Sequence, residues 1–112
     1  SSLIATNRLA ADYNQVLTGL HYARSEAVTR REVVTAEISD GAGRWQMDVK
    51  VGSDILRSFS SSSDNINVSD GVVGFDSLGR RASDCSFVSC KIVVGNKSIT
   101  INMAGNIVRS QS

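Results

Sequence analysis

With 112 residues, a 41% hydrophobic fraction and a formal net charge of +1, the sequence has the length and balance of a single soluble globular domain, 1–112. Near-neutrality removes a global basic excess that would announce nucleic acid, and no run reaches the roughly 18 to 20 apolar residues of a membrane span. No initiator methionine, basic n-region or cleavage site precedes Ser1, so any targeting segment is expected to lie outside these residues.

The stretch Leu3 to Arg30 has helical periodicity. Leu9, Tyr13, Val16, Leu17, Leu20, Ala23 and Ala27 fall on one face, which is expected to be the packing face laid on a sheet. At 1.5 Å per residue, about 28 residues make a helix of roughly 42 Å, longer than a small domain is wide. The opposite face carries Ile4, Ala11, Gln15, Thr18 and Tyr22, less polar than a fully solvated face, which points to a second packing partner. Ser1 or Ser2 is a candidate cap, and Arg8 with Asp12 and Glu26 with Arg30 form i, i+4 pairs of opposite charge. Gly19 weakens the helix unless a neighbour packs closely there. Arg30 and Arg31 suit its C-terminus, where the helix dipole favours cations.

From Glu32 the period becomes two. Val34, Ala36 and Ile38 alternate with polar residues, 39–43 is a Gly-rich turn, and Trp45, Met47, Val49 and Val51 alternate again. This pattern predicts an antiparallel hairpin with one wet face. The segment 52–65 lacks a period and is expected to be an irregular loop anchored by Ile55, Leu56 and Phe59, with a polar tip at Ser60 to Ser63. Ile66 and Val68 read as a short strand, Ser69 to Gly71 as a turn, Val72 to Phe75 as a strand and Asp76 to Gly79 as its turn. Phe87–Val94 and Ser98–Met103 read as a second hairpin around Gly95-Asn96. After a turn at 104–106, Ile107 and Val108 return to the sheet edge and 110–112 is expected to be loose. The sum is an α+β chain, a long N-terminal helix (1–31) packed on an antiparallel β-sheet head (32–109).

Little in the sequence carries reactive chemistry. His21 stands alone and, with one cysteine pair, leaves a zinc site short of ligands. No G-x-S-x-G is present, and the glycines at 41 and 43 sit in a hairpin turn rather than a strand-to-helix turn. Asn65, Asn67 and Ser69 have calcium-loop spacing, but Asp70 and Asp76 stand where that loop needs Gly and Glu. No cofactor, metal, catalytic residue or small-molecule substrate is expected, and the chain does not read as an enzyme. Cys85 and Cys90 are either bridged or two reduced thiols beside a strand; a bridge requires the chain to turn between them, because five extended steps span about 17 Å. The basic residues Arg80, Arg81, Lys91, Lys97 and Arg109 gather in the C-terminal third. They form either a phosphate-binding edge or a scattered solvated surface.

Several stretches resemble one family. Asn7-Arg-Leu-Ala-Ala-Asp12, Leu20-His-Tyr-Ala-Arg-Ser-Glu-Ala-Val-Thr-Arg30 and Val33-Val34 are similar to the FimT/GspH family of type IV pilins and pseudopilins. Trp45, Phe75-Asp-Ser-Leu-Gly-Arg80, and Ile99-Thr-Ile-Asn102 followed by Gly105 stand in the expected order. The resemblance implies the type IV pilin fold. It also implies a leader and an apolar N-terminal helical half upstream of this sequence, which anchors such a subunit in the bacterial inner membrane and later packs in the filament core. The head would be periplasmic, in keeping with a Cys85–Cys90 disulfide, and the partners would be other major and minor pilins.

Three roles are compatible with the resemblance. The first is a non-catalytic minor pilin that helps prime or cap an extracellular type IV pilus through helix packing and contacts between heads, with the 52–65 loop and the C-terminal edge as contact surfaces. The second is a FimT-like DNA receptor for natural transformation. In that branch a glycine-arginine-x-arginine motif meets the DNA backbone; here Gly105 matches, Asn106 and Val108 replace the two arginines, and Arg109 stands one place late. The third is an H-type pseudopilin of a periplasmic type II secretion pseudopilus.

Overall fold

The computed structural model describes residues 2–41, 44–61 and 66–111, and the side chains among them other than those of 2–9, 83–84, 88 and 110–111. The caps proposed at Ser1 and Ser2, the side chains of Ile4, Arg8 and Leu9, the turn residues Ala42 and Gly43, the tip residues Ser62 and Ser63, Asn65 and Ser112 lie outside the described residues. Helix α1 spans Ser2–Arg30. It ends in a Schellman-type cap: Arg31 takes a left-handed conformation (φ 57°) and the Glu32 amide donates to the Ala27 carbonyl at 3.3 Å.

Among the described residues eight strands follow: β1 Val34–Gly41, β2 Arg44–Val51, β3 Asp54–Ser60, β4 Gly71–Phe75, β5 Arg81–Cys85, β6 Lys91–Val94, β7 Lys97–Ile101 and β8 Ile107–Gln111. They form two antiparallel sheets, ordered β3-β2-β1-β4-β5 and β6-β7-β8. The segment between β3 and β4 pairs with β6 through a bridge between Val68 and Val94, flanked by the Ser69 amide on the Val93 carbonyl and the Gly95 amide on the Asn67 carbonyl. The expected strand at 66–68 is thus a single bridge to β6.

The alternation read in β1 and β2 matches the burial. Val34, Ala36, Ile38, Trp45, Met47 and Val49 are buried, and Phe59, Val73 and Phe75 extend the same core. The other face is wet, and on it Lys50 meets Glu37 at 3.0 Å. Tyr13, Val16, Leu17, Leu20, Ala23 and Ala27 of the helix are buried against these residues and against Ile92, Val94, Ile99 and Ile101 of the second sheet. Gly19 lies where the helix packs closely on β2, because a Cβ there would stand 2.5 Å from the Met47 sulfur. Asp12, read from the sequence as an i, i+4 partner of Arg8, is fully buried and accepts a hydrogen bond from the Trp45 indole at 3.1 Å.

Three expectations need correction, and one strand was not anticipated. The supposed loop 52–65 contains β3, an edge strand in which only Phe59 is buried while Ile55 is exposed and Leu56 half-buried. An edge strand that buries one residue against the core has no two-residue period to read. The unanticipated strand is β5, Arg81–Cys85, whose polar sequence reflects its place at the other edge. Second among the corrections, Val88–Cys90 is a 3₁₀ turn with Ser89 and Cys90 at positive φ, so the second hairpin begins at Lys91 rather than Phe87 and ends at Ile101. That turn brings Cys85 and Cys90 to a Cα separation of 5.8 Å, and they are joined in a disulfide. Third, β8 continues through Ser110 and Gln111, which pair with Ser98 and Lys97 where a loose tail was expected.

Candidate functional site

The segments that carry the family resemblance meet in space. The turn between β4 and β5 is organised by Asp76, whose Oδ1 accepts the amides of Leu78 and Arg80, each at 3.0 Å. Its backbone closes the same turn with Arg80 and Gly79. Burial pushes the Asp76 carboxyl up, but the amides of Arg80 and Leu78 and the Arg80 guanidinium outweigh it and hold the group below its ordinary range. Arg24 of the helix donates from Nε to the Gly79 carbonyl at 2.9 Å.

A second turn presses on the first. The Asn102 side chain accepts the Asn106 amide at 3.0 Å and its carbonyl accepts the Gly105 amide at 2.9 Å, closing 102–106. Gly105, buried with φ 88°, lies against the Gly79–Arg80 backbone, and a Cβ on it would overlap the Gly79 carbonyl oxygen. Gly79 itself has φ 79°. Helix, Asp76 turn and Asn102 turn therefore form one junction. Its rim carries three exposed apolar side chains: Val28, Leu78 and Met103.

The five candidate basic residues do not gather at one edge. Arg80 is paired with Asp76 at 3.2 Å. Arg81 donates from Nη1 to the Ile101 carbonyl at 2.9 Å, tying β5 to the second sheet. Lys91 stands opposite Thr100, and its side chain lines a cavity with Ser69, Asp70, Ser86, Phe87, Ser89 and Val93. Lys97, Ile99 and Arg109 share the other face of that sheet, because Ile99 lies opposite Arg109 and Lys97 is two residues from Ile99. Lys97 and Arg109 line one open cavity of about 420 Å³ with Ala10, Tyr13 and Asn14 of the helix. The Lys97 ammonium sits 5.1 Å from the Tyr13 ring centre, and the Tyr13 hydroxyl donates to the Ser98 carbonyl at 3.3 Å. Burial raises the Tyr13 hydroxyl above its ordinary range and Arg109 draws it partly back.

Along the outward face of α1, Ala11, Gln15, Thr18 and His21 are exposed. Tyr22, expected on that face, turns toward β3 instead. Its ring meets Phe59 edge-on at 6.4 Å between centres, and the Arg57 guanidinium lies 5.6 Å over it. Among the described residues no helix is long and apolar enough to cross a membrane.

Residues 12–105 match the sequence profile of the family described as type II transport protein GspH. Crystal structures of the type IV minor pilin FimU of Pseudomonas aeruginosa superpose on this chain. One crystal form gives a TM-score of 0.68 at 17% identity, covering 96% of this chain and 92% of FimU. A second gives 0.57 at 18% identity, covering 90% of each chain. At such identity the likeness is one of fold, a helix packed on antiparallel sheet. No curated protein matches the sequence.

Proposed function

The chain belongs to the GspH family, and on that premise we propose that it is a minor pilin of a type IV pilus, a non-catalytic subunit that helps prime or cap the filament. The observation that carries this reading is the junction of Arg24, Gly79 and Gly105. The stretches that carry the family resemblance are engaged in fastening the helix to the head. They hold it through a charged hydrogen bond and two glycine backbones in contact, while the outward helix face and the apolar rim of Val28, Leu78 and Met103 remain open to a neighbour. A subunit whose helix is fixed rigidly to its head transmits filament packing to the lateral contacts between heads. The head would sit on the periplasmic side before assembly and in an extracellular pilus after it.

The dispersal of Arg80, Arg81 and Lys91 away from Lys97 and Arg109 weighs against a DNA-receptor role, since a duplex is held by several cations tracking its phosphates. The test is deletion of the gene in its own bacterium, with surface pili counted by electron microscopy and secreted proteins compared in the medium. Loss of pili, restored by the wild-type gene, is the expected result. Normal pili with a loss of secreted proteins would transfer the protein to the type II pseudopilus, and no change in either would overturn an assembly role.

A further inference from the structure

Lys97 and Arg109 bring two cations to the lining of one cavity. Arg30, Lys50 and Arg80 each have a carboxylate within 3.2 Å. Among the described residues Lys97 and Arg109 have none, although both line the same cavity. Arg109 lies on β8, the edge of the three-stranded sheet, with its side chain on the face toward the helix. The Lys97 ammonium is held over Tyr13, so part of the entropy of fixing that flexible side chain is already lost before any ligand arrives.

From this cavity, and resting on the assembly role above, we propose that Lys97 and Arg109 receive an acidic side chain of a neighbouring filament subunit. Two adjacent cations with an aromatic wall and the Asn14 amide match the needs of one carboxylate: charge neutralisation, donors for both oxygens and a partly apolar surround. The site is open rather than enclosed, which fits a side chain presented on a protein surface better than a small free anion. It is also too short a cationic track for a duplex, because Lys91 faces away across the sheet and Arg80 is already paired. The cavity is walled by α1 itself, so a subunit docked there would be locked in register along the helix.

Zero-length carbodiimide coupling tests this directly, since it joins a lysine amine only to a carboxylate in contact. Full-length protein in filaments sheared from its own bacterium would be coupled, digested and sequenced by mass spectrometry, with Lys91 on the opposite face as the internal control. The expected result is a Lys97 link to an Asp or Glu of another subunit, absent in Lys97→Arg. Arg109→Glu is expected to lower incorporation into filaments about two- to fivefold, the scale of one exposed ion pair, without lowering the melting temperature of the isolated domain. Wild-type protein absent from every filament would overturn the assembly role itself. Protein present in filaments, but with no Lys97 link and unchanged incorporation of Arg109→Glu, would overturn only the carboxylate site. Titration with inorganic phosphate and with a short DNA duplex completes the test. Salt-sensitive duplex binding that is lost in the same variants, without a subunit link, would replace the carboxylate by nucleic acid.

Discussion

Replacing Gly105 by alanine tests the junction on which the helix, the Asp76 turn and the Asn102 turn converge. Two costs combine. At φ 88° a residue with a Cβ meets the left-handed penalty of about 1–2 kcal/mol. The new Cβ would also overlap the Gly79 carbonyl and lie 3.0 Å from the Arg80 Cα, and both obstacles are backbone, which cannot swing aside as a side chain does. Overpacking of that kind adds about 1–3 kcal/mol, for a total near 2–5 kcal/mol. Urea unfolding followed by Trp45 fluorescence measures the loss, with Gly41→Ala as the control, because a Cβ at Gly41 meets nothing within 4 Å and the backbone there is unstrained. The control is expected to stay within about 0.5 kcal/mol of wild type. A loss below about 1 kcal/mol for Gly105→Ala, or equal losses in the two variants, would refute the close contact of the two turns.

Three further outcomes are expected. Trp45→Phe removes the indole donor from the buried Asp12 carboxylate and should cost about 1.5–3 kcal/mol from that hydrogen bond alone; calorimetry would measure it, and a loss under about 0.5 kcal/mol would contradict the contact. Arg31→Gly relieves a left-handed arginine at the helix C-terminus and should raise stability by about 0.5–1 kcal/mol in the same urea assay, whereas destabilisation would mean that another interaction of Arg31 dominates. The Asp76 carboxyl has a folded pKa below its unfolded value, so its contribution is fully present above the unfolded value near pH ~4 and is lost as pH falls through the folded one. The stability gap between wild type and Asp76→Asn should therefore narrow as pH is lowered from neutrality through that window, and parallel pH profiles would count against the turn's charge-assisted hydrogen bonds.

Periodicity is legible wherever burial is decided by one face. The α1 stripe from Tyr13 to Ala27 and the alternation of Val34, Ala36, Ile38, Trp45, Met47 and Val49 each report a surface that must leave water, and the structure buries these residues. Edge strands carry no such record. In β3 only Phe59 is buried, so hydrophobicity in 54–60 has no period, and β5 is polar because one of its sides lies beyond the sheet. The family motifs were visible as strings, yet their common purpose was not: Arg24, Gly79 and Gly105 are separated by dozens of residues and are brought together only by packing. The same holds for Asp12, whose neighbours in sequence describe a helix surface and whose neighbour in space is Trp45.

The sequence by itself determined that a long amphipathic helix precedes an antiparallel head, because local burial writes a period of 3.6 or 2 into the chain. It also marked most of the turns, since a proline-free chain turns chiefly at Gly, Asn, Asp and Ser, although Arg31 and Cys90 take positive φ as well. Only the tertiary structure decided that the strands divide into two sheets, and that the five basic residues separate rather than converge. It alone placed Lys97 and Arg109 together beside Tyr13. Those outcomes depend on register and on which strand lies at an edge, and both are set by contacts between segments distant in sequence.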